Sequence, residues 1–367
     1  MDRDRILNAR WRGVLRSIPS GSKAEGLTCY MESDRDTLFV LDDVNCLEDD
    51  LNDRTFAEEI TVLRSYSKMS YPGHSTLLIE RRGTMITSLV NNAMCDDGYG
   101  RKVLSSDLYV NTWSHVGKKS EFQVRHDRAG PSLPFTYGGA FHTDTVHAIR
   151  YYCPSILKKW AARPRQWPPL SVVQEVESIE AVLTPVGFKG SEHKNVEWRM
   201  CFNAGEIKLV THLNDIQVKL YILMKMVKTE VLKPRQKEVT SYTLKNIVFW
   251  IAENNPQALF HNGSLFHWLH KGLDALRVAI VTRDLPYYMI AERNLMAGCE
   301  LDYELQRSWV STITDMINEG PKIILRLPKI RQCLIAHPEP LMWYSRRRTE
   351  LELLELINMN RRIKMQR

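Results

Sequence analysis

Two short stretches near the N-terminus carry residue types that can hold a phosphate chain and metal ions. Gly21-Ser22 is followed, after eleven intervening residues, by Asp34 and Asp36. On a strand, Asp34 and Asp36 point to one face, roughly 7 Å apart along the chain. Such acids can hold paired Mg²⁺ ions, which clamp the oxygens of a phosphoryl transfer. Gly21 lets its backbone approach a triphosphate, and Ser22 can donate to phosphate oxygens. This pattern predicts the front half of a nucleotidyltransferase site, although an exposed strand and an ordinary turn can carry the same residues.

A two-metal site needs a further carboxylate from a neighbouring strand. Residues 141–149 read as a strand and contain Asp144 between His142 and His147. Asp144 is therefore the candidate for the third metal ligand. The two histidines have no third partner at metal-ligand spacing, so we interpret them as ordinary strand residues.

Composition limits the classes of protein to consider. The chain has 367 residues, 44% of them hydrophobic and 25% charged, which is enough for two lobes with cores. No apolar run is long enough to cross a bilayer, and the N-terminus does not read as a signal peptide. The 7 cysteines are widely spaced without a CxxC motif, which favours a reducing, cytoplasmic setting and argues against structural zinc. The net charge of +7 is compatible with a polyanionic partner.

The N-terminal residues 2–18 show apolar residues at helical spacing and predict a helix. Arg5, Arg12 and Arg16 would then share one face. That face predicts a contact with a nucleic-acid backbone, with a solvated helix surface as the alternative. We expect residues 42–50 to form an acidic surface loop, and residues 126–140 to be loop-like.

The second half of the chain changes from strands to helices. Residues 171–182 predict an amphipathic helix, and strands are expected at 183–187 and 196–202. Helices are predicted near 206–232, 239–252, 264–282 and 301–317. Residues 346–367 read as a leucine-rich helix with seven Lys/Arg against three Glu.

Four motifs resemble those of a known family. They are EWRMCF at 197–202, SYTLK with FW at 241–250, LPYYMI with NLM at 285–296, and the CP, W, R and WP run at 153–168. These motifs are similar to those of the cyclic GMP-AMP synthase-like receptors of the male-abnormal superfamily, and the last resembles invertebrate members. The resemblance runs from about residue 20 to residue 297.

The resemblance implies an α+β, bilobal nucleotidyltransferase fold with a mixed β-sheet core lobe and a C-terminal helical lobe. The core lobe would span residues 1–204, the helical lobe that closes the nucleotide cleft 205–317, and a basic extension 318–367. Catalytic metal ligands implied by the family pattern are Asp34, Asp36 and Asp144, for Mg²⁺ or Mn²⁺. Implied nucleotide contacts are Gly21, Ser22, Arg199, Lys225, Ser241 and Tyr242.

Several of these residues also have a purely structural interpretation. Arg199 could form an ion pair, Lys225 could be a solvated helix lysine, and Tyr242 could belong to the core. In the resemblance, Tyr242 stacks on a base, as aromatic rings do without regard to base identity.

Two departures from the family pattern bear on product and activator. Cys201 and Asn203 stand where relatives often have serines that help to choose the bases, so the product is left open. The stretch 204–220, where the vertebrate synthase has a zinc ribbon, contains His212 and no cysteine. We therefore expect no zinc, and double-stranded RNA rather than DNA as the activator, since RNA duplexes are read by shape and backbone.

The sequence favours an enzyme that makes a cyclic dinucleotide from ATP and a second NTP, in innate immune signalling and without a membrane partner. One alternative is a catalytically inactive nucleotide- or protein-binding relative. The three metal carboxylates present in the chain argue against it. A linear oligonucleotide synthase would use the same metals and stays open.

Overall fold

The computed structural model describes residues 15–27, 35–49, 51, 56–84, 88–116, 123–139, 141–233 and 238–365. The strands are β1 Leu15–Ser20, β2 Arg35–Leu47, β3 Thr61–Tyr66, β4 His74–Arg81, β5 Met94–Asp96, β6 Lys102–Leu104, β7 Gln123–Arg125, β8 Leu133–Tyr137, β9 Phe141–Tyr152, β10 Ala181–Thr184 and β11 Glu197–Cys201. The helices are α1 Gly21–Ala24, α2 Ser88–Asn91, α3 Ser106–His115, α4 Pro154–Ala161, α5 Leu170–Ser178, α6 Asn203–Thr211, α7 Asp215–Met226, α8 Ser241–Asn254, α9 Leu265–Thr282, α10 Tyr303–Glu319, α11 Pro328–Ile335 and α12 Glu339–Met365.

A mixed sheet forms the first part of the molecule. Its strands run in the order β1-β2-β3-β4-β11-β10-β9-β8-β7, and β2 also pairs in parallel with β9. The remaining pairs of the central strands are antiparallel, except for the parallel pair β2–β3. Helices follow the sheet to the C-terminus, which confirms the predicted α+β class.

Alternation along β2 and β9 separates two cores. Leu38, Val40 and Ala148 form a small cluster with Val182 on one sheet face. The opposite face contributes residues such as Leu41 to the large core, which continues into the C-terminal helices. Since successive strand side chains alternate, this division also determines which polar residues share a face with the small cluster.

The helices that cover the sheet are capped by their own side chains. Asn214 accepts hydrogen bonds from the amides of Ile216 and Gln217 at the start of α7. Thr240 accepts one from the amide of Thr243 at the start of α8. Caps of this kind satisfy amides that the helix leaves unpaired, so they fix where α7 and α8 begin.

The tryptophan- and proline-rich segment packs the sheet against the helices. Trp160 and Trp167 are buried, and Arg163 contacts Glu253 of α8 at 3.1 Å. The Tyr288 hydroxyl donates to the same carboxylate at 2.6 Å. This segment therefore connects the sheet lobe to α8.

Three predicted elements are wrong. Residues 15–20 form β1 rather than the end of a helix, and residues 1–14 lie outside the described residues. Residues 42–47 continue β2 because Val44, Cys46 and Leu47 are buried, although acids precede them. Residues 133–137 form β8, which pairs with β9 within the segment predicted as a loop.

The C-terminal helix α12 has exposed apolar residues. Its exposed apolar side chains include Leu341, Met342 and Trp343. No helix in the described part of the chain is long and apolar enough to span a membrane.

Candidate nucleotide and metal site

Two carboxylates lie opposite each other at the start of the parallel pair β2–β9. Asp36 is the register partner of Asp144, with Arg35 opposite Thr143 and Thr37 opposite Thr145. Neighbouring strands lie about 4.8 Å apart, so the two acids project side by side. Like charges in directly opposite positions destabilise a sheet unless other groups offset them. This is an arrangement in which a hard divalent cation finds oxygen ligands.

A glycine is packed against one of these acids. Gly21 has a φ of +72°, and a Cβ built on it would lie 1.8 Å from Oδ2 of Asp36. Any other residue would therefore meet both the left-handed backbone and the carboxylate. Gly21 follows Ser20, which pairs with Asp36 in the β1–β2 register. The sheet thus brings the glycine-serine turn to the acid, as the sequence pattern required.

The donor set fits Mg²⁺ by its chemistry, because it consists of carboxylate oxygens on adjacent strands. Asp34, the remaining predicted ligand, lies outside the described residues. Within the described ranges no group of three or more His, Cys, Asp or Glu side chains is placed to hold a metal.

The same sheet face carries Arg199 at its other end. In the strand registers Arg199 lies opposite Thr184, and Cys201 lies opposite Val182 of the small core cluster. Because that cluster shares its face with Asp36 and Asp144, Arg199 faces the same side as the acids. Burial alone would lower the pKa of Arg199, but the neighbouring Cys201, Tyr242 and Tyr287 raise it above its usual value.

Helices α7 and α8 place the predicted nucleotide contacts of the helical lobe near the glycine-serine turn. Lys225 of α7 donates to the carbonyl of Leu27 at 3.3 Å, just beyond α1. The hydroxyl of Tyr221 on the same helix donates to Oε2 of Glu25, which directly follows α1, at 3.5 Å. Ser241 is the first residue of α8, and its carbonyl accepts from Tyr221 at 3.3 Å. The turn that packs on Asp36 is therefore in contact with both helices.

A buried charge cluster joins α1 to the helical lobe. Nζ of Lys245 on α8 lies 2.7 Å from Oε1 of Glu25 and 2.7 Å from Oε2 of Glu206. All three side chains are less than 10% exposed. Glu25 directly follows α1, and Glu206 lies on α6, just after β11. The cluster therefore links the site turn, the end of the sheet and α8.

The pKa values of this cluster follow from its pairing. Burial alone would raise the pKa of Glu206, but Lys245 and two tyrosine hydroxyls lower it below its usual value. Burial would lower the pKa of Lys245, but Glu206 and Glu25 raise it well above its usual value. Glu206 and Lys245 are thus ionised at neutral pH, and the lysine lies between two carboxyl groups.

Tyr242 takes part in this cluster through its hydroxyl, which donates to Glu206 at 2.9 Å. Tyr287 donates to the same oxygen at 2.7 Å, and the two rings lie 5.7 Å apart. Burial raises the pKa of both phenols. The Tyr242 ring is half-buried, so the structure anchors its polar end and leaves part of the ring exposed.

Sequence reasoning did not assign Glu25, Glu206 or Tyr287 to the site. One signal was present: Lys245 stands within the apolar run of α8, where a lysine is buried only if it is paired. Its partners are 220 and 39 residues away, so sequence spacing could not identify them.

The predicted basic helix face is wrong for Arg16. It lies on β1, and its Nη2 is 2.7 Å from Oε2 of Glu180. Arg5 and Arg12 lie outside the described residues. The ion pair with Glu180 gives Arg16 a structural role within the sheet lobe, and we propose no nucleic-acid contact for it.

Part of the chain matches the model of a known protein family. Residues 216–308 match the model of the Mab-21 protein HhH/H2TH-like domain. The matched range begins in α7 and ends in α10, so it covers the helical lobe and not the sheet. No curated protein matches the chain. Because Mab-21 proteins are nucleotidyltransferase-like, the match supports the Mab-21 superfamily and that general kind of reaction.

Proposed function

We propose that the residues of the sheet around Asp36 and Asp144, together with those of helices α7 and α8, bind Mg²⁺-nucleotides and join two of them into a cyclic dinucleotide. The observation that carries this proposal is the direct pairing of Asp36 with Asp144, with Gly21 packed on Asp36. Together with Asp34, these acids would hold Mg²⁺, or Mn²⁺ in its place. Bound there, the metal would offset the carboxylate charge and polarise the reacting phosphate.

The chain's own residues then bind and orient the nucleotides. The amides around Gly21 and Ser22 donate to the phosphate chain, and Lys225 stands nearby to contribute positive charge. The exposed part of the Tyr242 ring offers a surface for a base. Arg199 faces the same space from the sheet. In the reaction, a ribose hydroxyl attacks an α-phosphate, pyrophosphate leaves, and a second such step closes the ring.

The proposal also covers the ligand that activates the enzyme, the role of its product and its cellular compartment. The excess of 50 Lys and Arg over 43 Asp and Glu supports a polyanionic activator, which we propose is double-stranded RNA. A product of this kind would act as a second messenger in innate immune signalling. The cysteine usage supports a cytoplasmic setting.

The test is an incubation with all four NTPs and Mg²⁺, without nucleic acid, with double-stranded RNA and with double-stranded DNA, followed by separation of the labelled products. We expect a phosphatase-resistant dinucleotide only with RNA. A ladder of linear products would replace the cyclase with an oligonucleotide synthase. Absence of product from folded protein that binds Mg²⁺-NTP would favour a binding protein without catalysis.

A further inference from the structure

Two arginines converge on a buried histidine at the end of the sheet face that carries Asp36 and Asp144. Arg199 of β11 is the register partner of His74 on β4. The stem of Arg293 packs on Gly73, where an added Cβ would lie 2.6 Å from Cδ of Arg293. His74 is 5% exposed. Burial lowers its pKa to about 3, and the charges of Arg293 and Arg199 contribute to the lowering. The strand register and the packing of Arg293 on Gly73 thus bring both arginine side chains to the neighbourhood of His74.

Neither arginine has an acidic partner. Among the described residues, no carboxylate oxygen lies within 4 Å of Arg199 or Arg293. Arg293 is 8% exposed, and its contacts are the Met200 carbonyl at 3.5 Å and the Tyr287 ring at 5.0 Å. The nearby acid Glu206 is already bound to Lys245.

Two other partly buried arginines among the described residues are paired with an acid. Arg163 and Arg165 lie 3.1 Å and 3.8 Å from the same Glu253 oxygen. A buried charge is normally paired, because removing it from water is costly. Buried Arg293 and half-buried Arg199 lie beside a neutral histidine with no acid within 4 Å among the described residues, and they form a site with an excess of positive charge.

The ring of His74 lies beside the same arginines. Nδ1 of His74 makes no well-formed hydrogen bond within the described part of the chain, and backbone oxygens of Tyr71 and Pro72 lie near the ring. The neutral ring does not offset the charge of the arginines, so their lack of an acid is the observation that points to an anionic ligand.

We infer that Arg199 and Arg293, with His74 beside them, form an anion site that takes a phosphate group. Guanidinium groups bind phosphate through paired hydrogen bonds, which suits this site better than a monovalent halide. The identification of that group as a phosphate of the nucleotide substrates rests on the proposed function. The anion site itself does not.

The test uses the full chain and inorganic tripolyphosphate in EDTA, without metal or nucleotide. Calorimetric titration at two salt concentrations compares the wild type with Arg293→Gln, Arg199→Gln and the exposed control Arg307→Gln on α10. We expect at least about tenfold weaker binding in the first two variants, since each removes a charged phosphate contact. Binding by Arg307→Gln should match that of the wild type. Wild-type affinity in Arg293→Gln, or no binding by the wild type, would overturn the site.

A second measurement locates the anion. The His74 ring signal, identified by its loss in His74→Gln, is titrated by NMR with and without tripolyphosphate. An anion beside the arginines offsets their field, so the pKa of His74 should rise when it binds, and an unchanged pKa would contradict the site. If Arg293→Gln does not fold, Arg293→Lys serves, with binding expected between those of the wild type and Arg199→Gln. If the wild type binds tripolyphosphate as expected but makes no cyclic dinucleotide, the proposed function is refuted and the anion site is not.

Discussion

Two groups of acids lie at opposite ends of the glycine-serine turn, and they are offset in different ways. At one end, Glu25 and Glu206 enclose Lys245 at 2.7 Å each, and tyrosine hydroxyls complete the cluster. At the other end, Asp36 faces Asp144 across two parallel strands, with Gly21 packed on the carboxylate. In the first group a lysine lies between the two acids, whereas the second group lies beside Gly21 on the sheet face that Arg199 shares.

This difference separates structural charge from functional charge. Removing one partner of a buried ion pair destabilises the fold strongly, because the other charge stays buried without compensation. Asp36 and Asp144 face each other beside the glycine of the turn, and we propose that this placement serves a ligand rather than the fold. We therefore expect the cluster of Glu25, Glu206 and Lys245 to fix the position of the glycine-serine turn. The turn in that position would contribute to the site at Asp36 and Asp144.

The largest expected effect is on turnover. Asp36→Asn removes a metal-binding charge and should lower the rate by about 10³-fold, since a bound metal supplies several kcal/mol of transition-state stabilisation. The measurement is product formation with Mg²⁺ and NTPs under the activating condition. Asp274→Asn, which alters an exposed pair with Arg277, should retain the wild-type rate. Retained turnover in Asp36→Asn would remove Asp36 from the site.

The next effect is on stability. Lys245→Met leaves two buried carboxylates without their cation, so the free energy of unfolding should fall by about 3–5 kcal/mol. The matched control is Lys208→Met, which breaks a partly exposed pair with Glu175 and should cost less than about 1 kcal/mol. Urea unfolding measures both. Similar losses in the two variants would mean that the cluster does not hold the turn.

Two glycines of the same turn provide a matched pair. Gly21 and Gly26 both have a φ of +72°, but a Cβ on Gly26 would meet no atom within 4 Å. Gly26→Ala should therefore cost only the backbone strain, about 1 kcal/mol. Gly21→Ala adds the collision with Asp36, so it should cost more and abolish turnover. Unfolding and product assays on both variants measure the difference, and equal effects would contradict the packing of Gly21 on Asp36.

The smallest effect is a change in pH dependence. The pKa of Glu206 is lowered in the folded chain, so its contribution is present above the ordinary value of 4.5 and is lost as pH falls through the folded value. Glu206→Gln should consequently lose stability at pH 7, and the loss should shrink below about pH 4.5. Urea unfolding of both proteins from pH 3 to pH 7 tests this. A pH-independent difference would assign the loss to packing rather than charge.

Local patterns predicted much of the fold. The apolar spacing of α8, α9 and α10 identified these helices, because one face of each is buried. The N-terminal helix prediction failed at residues 15–20, where Leu15 and Ser17 are buried and alternate with more exposed residues against β2. Pairing with a strand twenty residues away outweighed the helical spacing, and no local pattern reports such a pairing.

The candidate site was predictable where the chemistry lies in short motifs. Gly21 and Asp36 were identified in this way, and the sheet brings them into contact. The sequence did not identify Glu25, Glu206 and Arg293 as site residues. Their contacts are with residues far away along the chain, which sequence spacing does not reveal. Arg293 in particular is an ordinary residue in sequence, and only its position beside His74 without an acid makes it notable.

The most direct test of this contrast is divalent-metal binding, measured by electron paramagnetic resonance with Mn²⁺ on folded protein without nucleotide. The wild type and Glu206→Gln should bind Mn²⁺ alike, because Glu206 is committed to Lys245. Asp36→Asn and Asp144→Asn should bind it at least about tenfold more weakly, since each removes an anionic oxygen ligand. Wild-type Mn²⁺ affinity in both aspartate variants would contradict the assignment of the facing acids as the metal site.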